Sequence, residues 1–265
     1  MRWNLTSRGR RLRKADGFFV SVPKSGRTWF RTLWAAYWCN VSGIAFDVRV
    51  RRVAGMPHIH FTHDRWEQRA NPSLALRLLG HDLVPRGLAR KKSKVLLVRD
   101  PRDVIVSIFF QVTKRPNAAQ RYMPSSVTEL VHDPRVGFTT VVATMNGWYE
   151  EWAGTPQFAL FRYEDARADP AVAMRRWLAH HGVTTPDEAA LAHAVSFSDF
   201  RAMQERERAG TFEVEALAAR DRNDTDSYKT RRGKIGGFVD YLDADDLAYC
   251  NAEMTKLLPV FAYKP

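Results

Sequence analysis

Three short apolar runs constrain this chain more than any other feature: FFVSV at 18–22, KVLLV at 94–98 and QFALF at 157–161. Runs of this length, rich in Val, Leu and Phe and each followed by polar residues, read as strands buried on both faces of a parallel sheet. Helical patterns lie between and after them, in RTWFRTLWAAYW, RDVIVSIFFQV, TTVVATMNGWYEEW and PAVAMRRWLAHH. Strands alternating with helices predict an α/β fold of three layers, a central parallel sheet flanked by helices on both faces. Ligands of such sheets gather at the carboxyl ends of the strands, where PKSGRT, RDPRD and RYED all fall.

A chain of 265 residues with 45% apolar content can bury one full core, and a single domain over 1–265 is expected. Residues 1–16 read as a basic N-terminal extension. The charge-dense segment 205–230, which lacks a strong apolar period, reads as a mobile loop or marginal helix able to close over a site. No apolar run is long enough to span a membrane. The basic run Arg8, Arg10, Arg11, Arg13 and Lys14 leads into a strand rather than a signal-peptide core. A soluble cytoplasmic protein is the expectation. Cys39 and Cys250 are far apart and lack metal-ligand spacing, so they are expected as free thiols with no zinc site.

The net charge of +12 fits a nucleic-acid binder, a membrane-surface binder or an enzyme with anionic substrates, and composition does not choose among them. Turn chemistry is more informative. In PKSGRTW the strand ends at Pro23, Gly26 permits tight curvature, and Ser25 to Thr28 lead into a helix whose free N–H groups point back into the turn. Unpaired amides, the positive end of the helix dipole and the charge of Lys24 together make an anion cradle of P-loop type. An ordinary strand-to-helix turn with an exposed lysine is the alternative. The Walker ending Gly-Lys-Ser/Thr is absent.

PKSGRTW resembles the 5′-phosphosulfate loop of the sulfotransferases that use 3′-phosphoadenosine 5′-phosphosulfate (PAPS). VLLVRDPRDVIVS at 95–107 is similar to that family's 3′-phosphate motif, and RRGKIGGF at 231–238 resembles its C-terminal glycine-containing loop. The three occur in the family's order over residues 18–238. The resemblance implies that Lys24, Ser25, Gly26, Arg27 and Thr28 surround the 5′-phosphosulfate. It assigns Arg99, Ser107, Arg231, Arg232 and Gly233 to the 3′-phosphate, a role suited to arginine forks. Arg99 and Arg102 could equally pair with Asp100 and Asp103 at a capped helix start. Trp29 and Phe197 would cover the two faces of the adenine and Tyr163 would reach it, although each aromatic could also be core.

Moving a sulfuryl group to an alcohol calls for a base near the acceptor hydroxyl and positive charge at the leaving oxygen. PHIHFTHDRW offers His58, His60 and His63, and the family pattern aligns His63 with the base. His58 and His60 read as pocket residues or buried structural histidines, and no metal is expected. By the same resemblance Lys24 would stabilise the leaving oxygen and Ser107 would restrain Lys24 until acceptor binds. Three departures stand out: Arg27 where threonine is common, Phe61 where a lysine often precedes the base, and Gly237-Phe238 in the last loop.

The leading expectation is therefore an O-sulfotransferase using PAPS as co-substrate, without nucleic acid or a transmembrane segment. Its acceptor is a hydroxyl-bearing small molecule, lipid or glycan. A kinase-like nucleotide-binding protein and a non-catalytic polyanion or nucleic-acid binder are the alternatives. No recognisable dimer motif appears, and oligomeric state is open.

Overall fold

Alternation along the two central strands distributes the core to both faces of the sheet. The computed structural model describes residues 7–50, 53–67, 84–116, 122–212 and 217–265. Strands β1 (Gly17–Ser21), β2 (Ile59–Thr62), β3 (Ser93–Val98) and β4 (Phe158–Arg162) form one sheet in the order β2-β1-β3-β4. All its pairings are parallel. Every residue of β1 and β3 is buried, as a sheet covered on both faces requires.

The helices are α1 (Ser7–Lys14), α2 (Arg27–Val41), α3 (Arg86–Ala89), α4 (Pro101–Lys114), α5 (Val127–His132) and α6 (Phe138–Trp152). They continue as α7 (Tyr163–Ala168), α8 (Pro170–His180), α9 (Glu188–Phe197), α10 (Phe200–Ala209) and α11 (Ala244–Met254). Phe18, Val20, Leu96 and Val98 point to one face, into a cluster with Val104, Ile105, Met145, Trp148 and Met254 of α4, α6 and α11. Phe19, Val95 and Leu97 point to the other, against Phe30, Leu33, Met174, Trp177 and Leu191 of α2, α8 and α9. The period of two in the strands thus builds both apolar layers.

Lys94, the second residue of β3, lies inside this core. Its side chain is fully buried, and Nζ donates to the carbonyls of Ala89, Lys92 and Pro156 at 2.8, 2.8 and 2.9 Å. The lysine ties the start of β3 to the preceding turn and to the approach of β4, and burial lowers its pKa.

The N-terminal extension is not all extended chain: α1 occupies half of it and buries Leu12. Segment 205–230 begins as the end of α10 and resumes at a buried Leu217. There Glu207, itself buried, accepts from the amides of Lys229 and Thr230 and pairs with Arg115 at 3.6 Å. Residues 1–6 of the extension and 213–216 of segment 205–230 lie outside the described residues.

Candidate active site

The turn after β1 enters α2 through a left-handed glycine. Gly26 stands at φ 99° immediately before α2, and no side chain caps the helix start, so its first amides face outward. Glycine is required here twice over. The left-handed φ disfavours any other residue, and a Cβ would lie 2.4 Å from the ring of Tyr163. Lys24 also holds a positive φ, 71°, which aims the turn into a cavity of about 400 Å³ at the carboxyl end of the sheet.

One wall of that cavity is the start of α4. Asp100 caps the helix by accepting from the Arg102 amide at 2.9 Å, with Pro101 at the first position. Arg102 pairs with Asp100 at 2.8 Å and reaches Asn251 and the Lys264 carbonyl, so it is a structural arginine. Arg99 lines the cavity instead. It lies 4.7 Å over the Tyr163 ring, pairs with Asp103 at 3.3 Å, and donates to the carbonyls of Lys24 and Lys234 at 3.4 and 3.2 Å. The pairing read from sequence is present with Asp103, and Arg99 also faces the cavity.

The C-terminal loop closes the same space. Asp103 accepts from the amides of Gly236 and Phe238 at 2.9 and 3.1 Å, which fixes the short turn Gly237–Asp240 against α4. The departure at Gly237-Phe238 is accommodated in this way, with Arg102 4.4 Å over the Phe238 ring. Arg231 and Arg232 both donate to the Tyr241 hydroxyl, at 2.6 and 2.9 Å, and both line the cavity. Gly233 has φ 60°, and a Cβ there would strike the Phe200 ring at 2.5 Å.

The aromatic wall differs from the expectation in one member. Trp29 is buried, with Nε1 donating to the Ser198 carbonyl at 2.8 Å, and stands edge-to-face with Tyr163. Phe197 does not line the cavity: its ring packs on Phe46 and beneath Arg206. The last turn of α9 directs it away, and Phe200, three residues on, takes the wall position. Arg167 completes this corner, 5.5 Å from the Trp29 ring and 5.6 Å from Phe200. Ser25 is buried behind the turn, and Oγ has no hydrogen-bond partner among the described residues.

His63 follows β2 and lines the cavity beside the turn. Its Nδ1 lies 2.9 Å from the Ser21 carbonyl. A carbonyl only accepts, so neutral His63 carries its proton on Nδ1 and leaves the Nε2 lone pair free. Burial, then Arg27, hold its pKa well below 6.5 against the raising effect of that hydrogen bond, with Lys229 and Lys24 adding to the depression. His58 and His60 are elsewhere. His58 Nδ1 lies 3.2 Å from the Lys14 carbonyl, and His60 packs edge-on to Phe18.

Lys24 is not held by Ser107. Its Nζ donates to Gln111 Oε1 at 3.3 Å, one helical turn beyond Ser107, which also lines the cavity. Lys229 Nζ reaches the same Gln111 oxygen at 3.4 Å. Burial lowers the Lys24 pKa well below its ordinary value, followed by the charges of Lys229 and Arg115. Lys229 is drawn down to about 8 by burial, then by Arg115 and Arg27. Gln111, Lys229, Arg167 and Phe200 were not singled out from sequence. The spacing of Gln111 from Ser107, four residues along one helix face, was the available signal.

A parallel α/β sheet with an uncapped glycine turn at the end of β1 and a basic loop facing it defines a P-loop-like anion-binding protein. The sequence fits the family model described as a sulfotransferase domain over residues 14–258, and the chain belongs to the sulfotransferase family. Among solved structures it is similar to mouse sulfotransferase SULT7A1 complexed with PAP, with 19% identity, TM-score 0.63, and coverage of 91% of this chain and 84% of that one. It is also similar to retinol dehydratase in complex with androsterone and the inactive cofactor PAP. That pair shows 16% identity and TM-score 0.59, and covers 96% and 82% of the two chains. A comparison with curated protein sequences finds no match. Among the described residues, no group of His, Cys, Asp and Glu side chains is arranged to hold a metal ion, and no helix is long and apolar enough to cross a membrane.

Proposed function

We propose that the protein is an O-sulfotransferase that uses PAPS, with His63 as general base and the released product adenosine 3′,5′-bisphosphate (PAP). The observation that carries this reading is the placement of His63 and Lys24 in one cavity, with an Nε2 lone pair available on the histidine. The donor site fits a nucleotide charged at both ends. The glycine turn and Lys24 serve one end, Arg99, Arg231 and Arg232 serve the other, and Trp29, Tyr163 and Phe200 line the wall between. Gly26 and Gly233 let the rings of Tyr163 and Phe200 pack directly on the two loops, where any Cβ would strike them.

PAPS supplies the sulfuryl group when bound. His63 Nε2 takes the proton of the acceptor hydroxyl, and the Ser21 carbonyl holds the ring in the required tautomer. Lys24 meets the charge that develops on the departing phosphate oxygen. Gln111 holds Lys24 until that oxygen competes for it. Arg99 and Arg231 supply bidentate donors to the terminal phosphate.

Calorimetric titration with PAP, alongside AMP and magnesium-ATP, tests the donor half. Micromolar binding that needs the 3′-phosphate and no metal is expected. A clear preference for magnesium-ATP would replace the reading with a kinase-like one. Transfer of labelled sulfate from PAPS, lost in His63→Ala, tests the base.

A further inference from the structure

Charge is balanced at one end of the cavity and not at the other. Around the expected 3′-phosphate position each arginine already faces a carboxylate: Arg99 with Asp103 at 3.3 Å, Arg231 with Asp226 at 3.4 Å and Arg232 with Asp240 at 2.9 Å. Around His63 the cations are Lys24, Arg27 and Lys229. The two lysines share the neutral amide of Gln111. Arg27 has no hydrogen bond or ion pair among the described residues, although it lines the cavity. Glu207, whose charge opposes the lowering of the Lys229 pKa, also holds the Lys229 and Thr230 amides, the Thr230 hydroxyl and Arg115, so this one carboxylate serves two cations.

Buried cations without counter-charges are costly, so a site that assembles them is built for an incoming anion. The donor's 5′ end brings one charge on its phosphate and one on its sulfate. Lys24 and the α2 amides meet the first of these. Arg27 and Lys229 together then exceed what the sulfate alone requires. Arg27 stands where a neutral threonine is common in the family, and the surplus is next to the base.

Resting on the sulfotransferase reading, we infer that the acceptor is an anionic hydroxyl compound. Its carboxylate, phosphate or sulfate group is gripped by Arg27 and Lys229 so that the hydroxyl lies at His63. The arrangement accounts for an otherwise unused arginine. It also gives His63 a second reason to sit beside positive charge, since a bound anion would offset the depression that Arg27 imposes on it. Lys229, drawn down to about 8, would likewise be restored towards its ordinary value by the anion.

The test is calorimetry on protein saturated with PAP, titrated with matched pairs: para-hydroxybenzoate against para-cresol, glucuronate against glucose, and glycerol phosphate against glycerol. At least one anionic member is expected to bind about tenfold or more tightly than its neutral mate, the gain of one charge-assisted hydrogen-bonded contact. The double variant Arg27→Gln with Lys229→Gln should abolish that preference at saturating PAP, and Arg27→Lys should retain it. The inference fails if no anionic member is preferred, or if the preference survives in the double variant. Failure of PAP itself to bind would count against the donor reading, so the two failures are distinguishable.

Discussion

Lys24 sits at a positive φ among neighbouring cations, and burial with their charges lowers its pKa; the proposed role at the departing oxygen is tested by its removal. Lys24→Ala is expected to lower PAPS-dependent turnover by about two to four orders of magnitude, the usual worth of one preorganised charge at a developing anion. Turnover within a few-fold of the parent would remove Lys24 from the mechanism. His63 carries a pH prediction. Its pKa in the fold lies well below 6.5, so the ring is still neutral at pH 6.5. The acid limb of kcat/KM should therefore lie below pH 6.5, and Arg27→Gln should move it upward by removing a charge that depresses His63. An acid limb at or above 6.5 in the parent would contradict this. Legibility at this scale followed the chain's local order. Lys24, Trp29, Arg99, Tyr163 and Arg231 sit inside or beside turn motifs and could be read from sequence. Lys229 and Arg167 could not, because only the path of the chain over the cavity brings them to it. Phe197 misled because neither its type nor its spacing tells which side of the last α9 turn it leaves from.

Turns and helix starts carry the site, and their tolerance is narrow. Gly26→Ala places a Cβ against the Tyr163 ring on a left-handed backbone, so the turn or the ring must move. Strain of this kind costs about 1–3 kcal/mol. The expected result in chemical denaturation is a drop of that size, together with a loss of PAP affinity of at least about tenfold. Unchanged affinity would show that the turn is not part of the donor site. The elements themselves were readable because their signals are local: three of the four strands and helices α2, α4, α6 and α8 fall where apolar period and caps put them. β2 is only four residues, buried at its two ends and partly exposed between them, and it was visible mainly through the histidines around it. α10 was hidden by its charge, since Met203 and Glu207 are its buried side chains and a buried glutamate does not read as an apolar stripe.

For the whole molecule, three buried or half-buried histidines set the response to acid. His63, His180 and His181 all have pKa values lowered by burial, His181 to about 3. An unfolded chain binds protons at these rings from about pH 6.5 downward, whereas the folded chain binds them only at lower pH. Stability is therefore lost as pH falls below 6.5, at up to about 1.4 kcal/mol per pH unit from His181 alone. Urea midpoints measured from pH 7 to 4 should fall steadily, and His181→Gln should flatten the slope. A midpoint that holds level over that range would show the histidines to be accessible. Arg99 has a different reach, because one side chain holds the carbonyl of Lys24 in the first loop and that of Lys234 in the last. Loops separated by most of the sequence thus share a single pin. If the proposed donor site is right, fragments of the nucleotide are expected to bind cooperatively, and a substitution in either loop to be felt at both ends, as a pairwise titration would show.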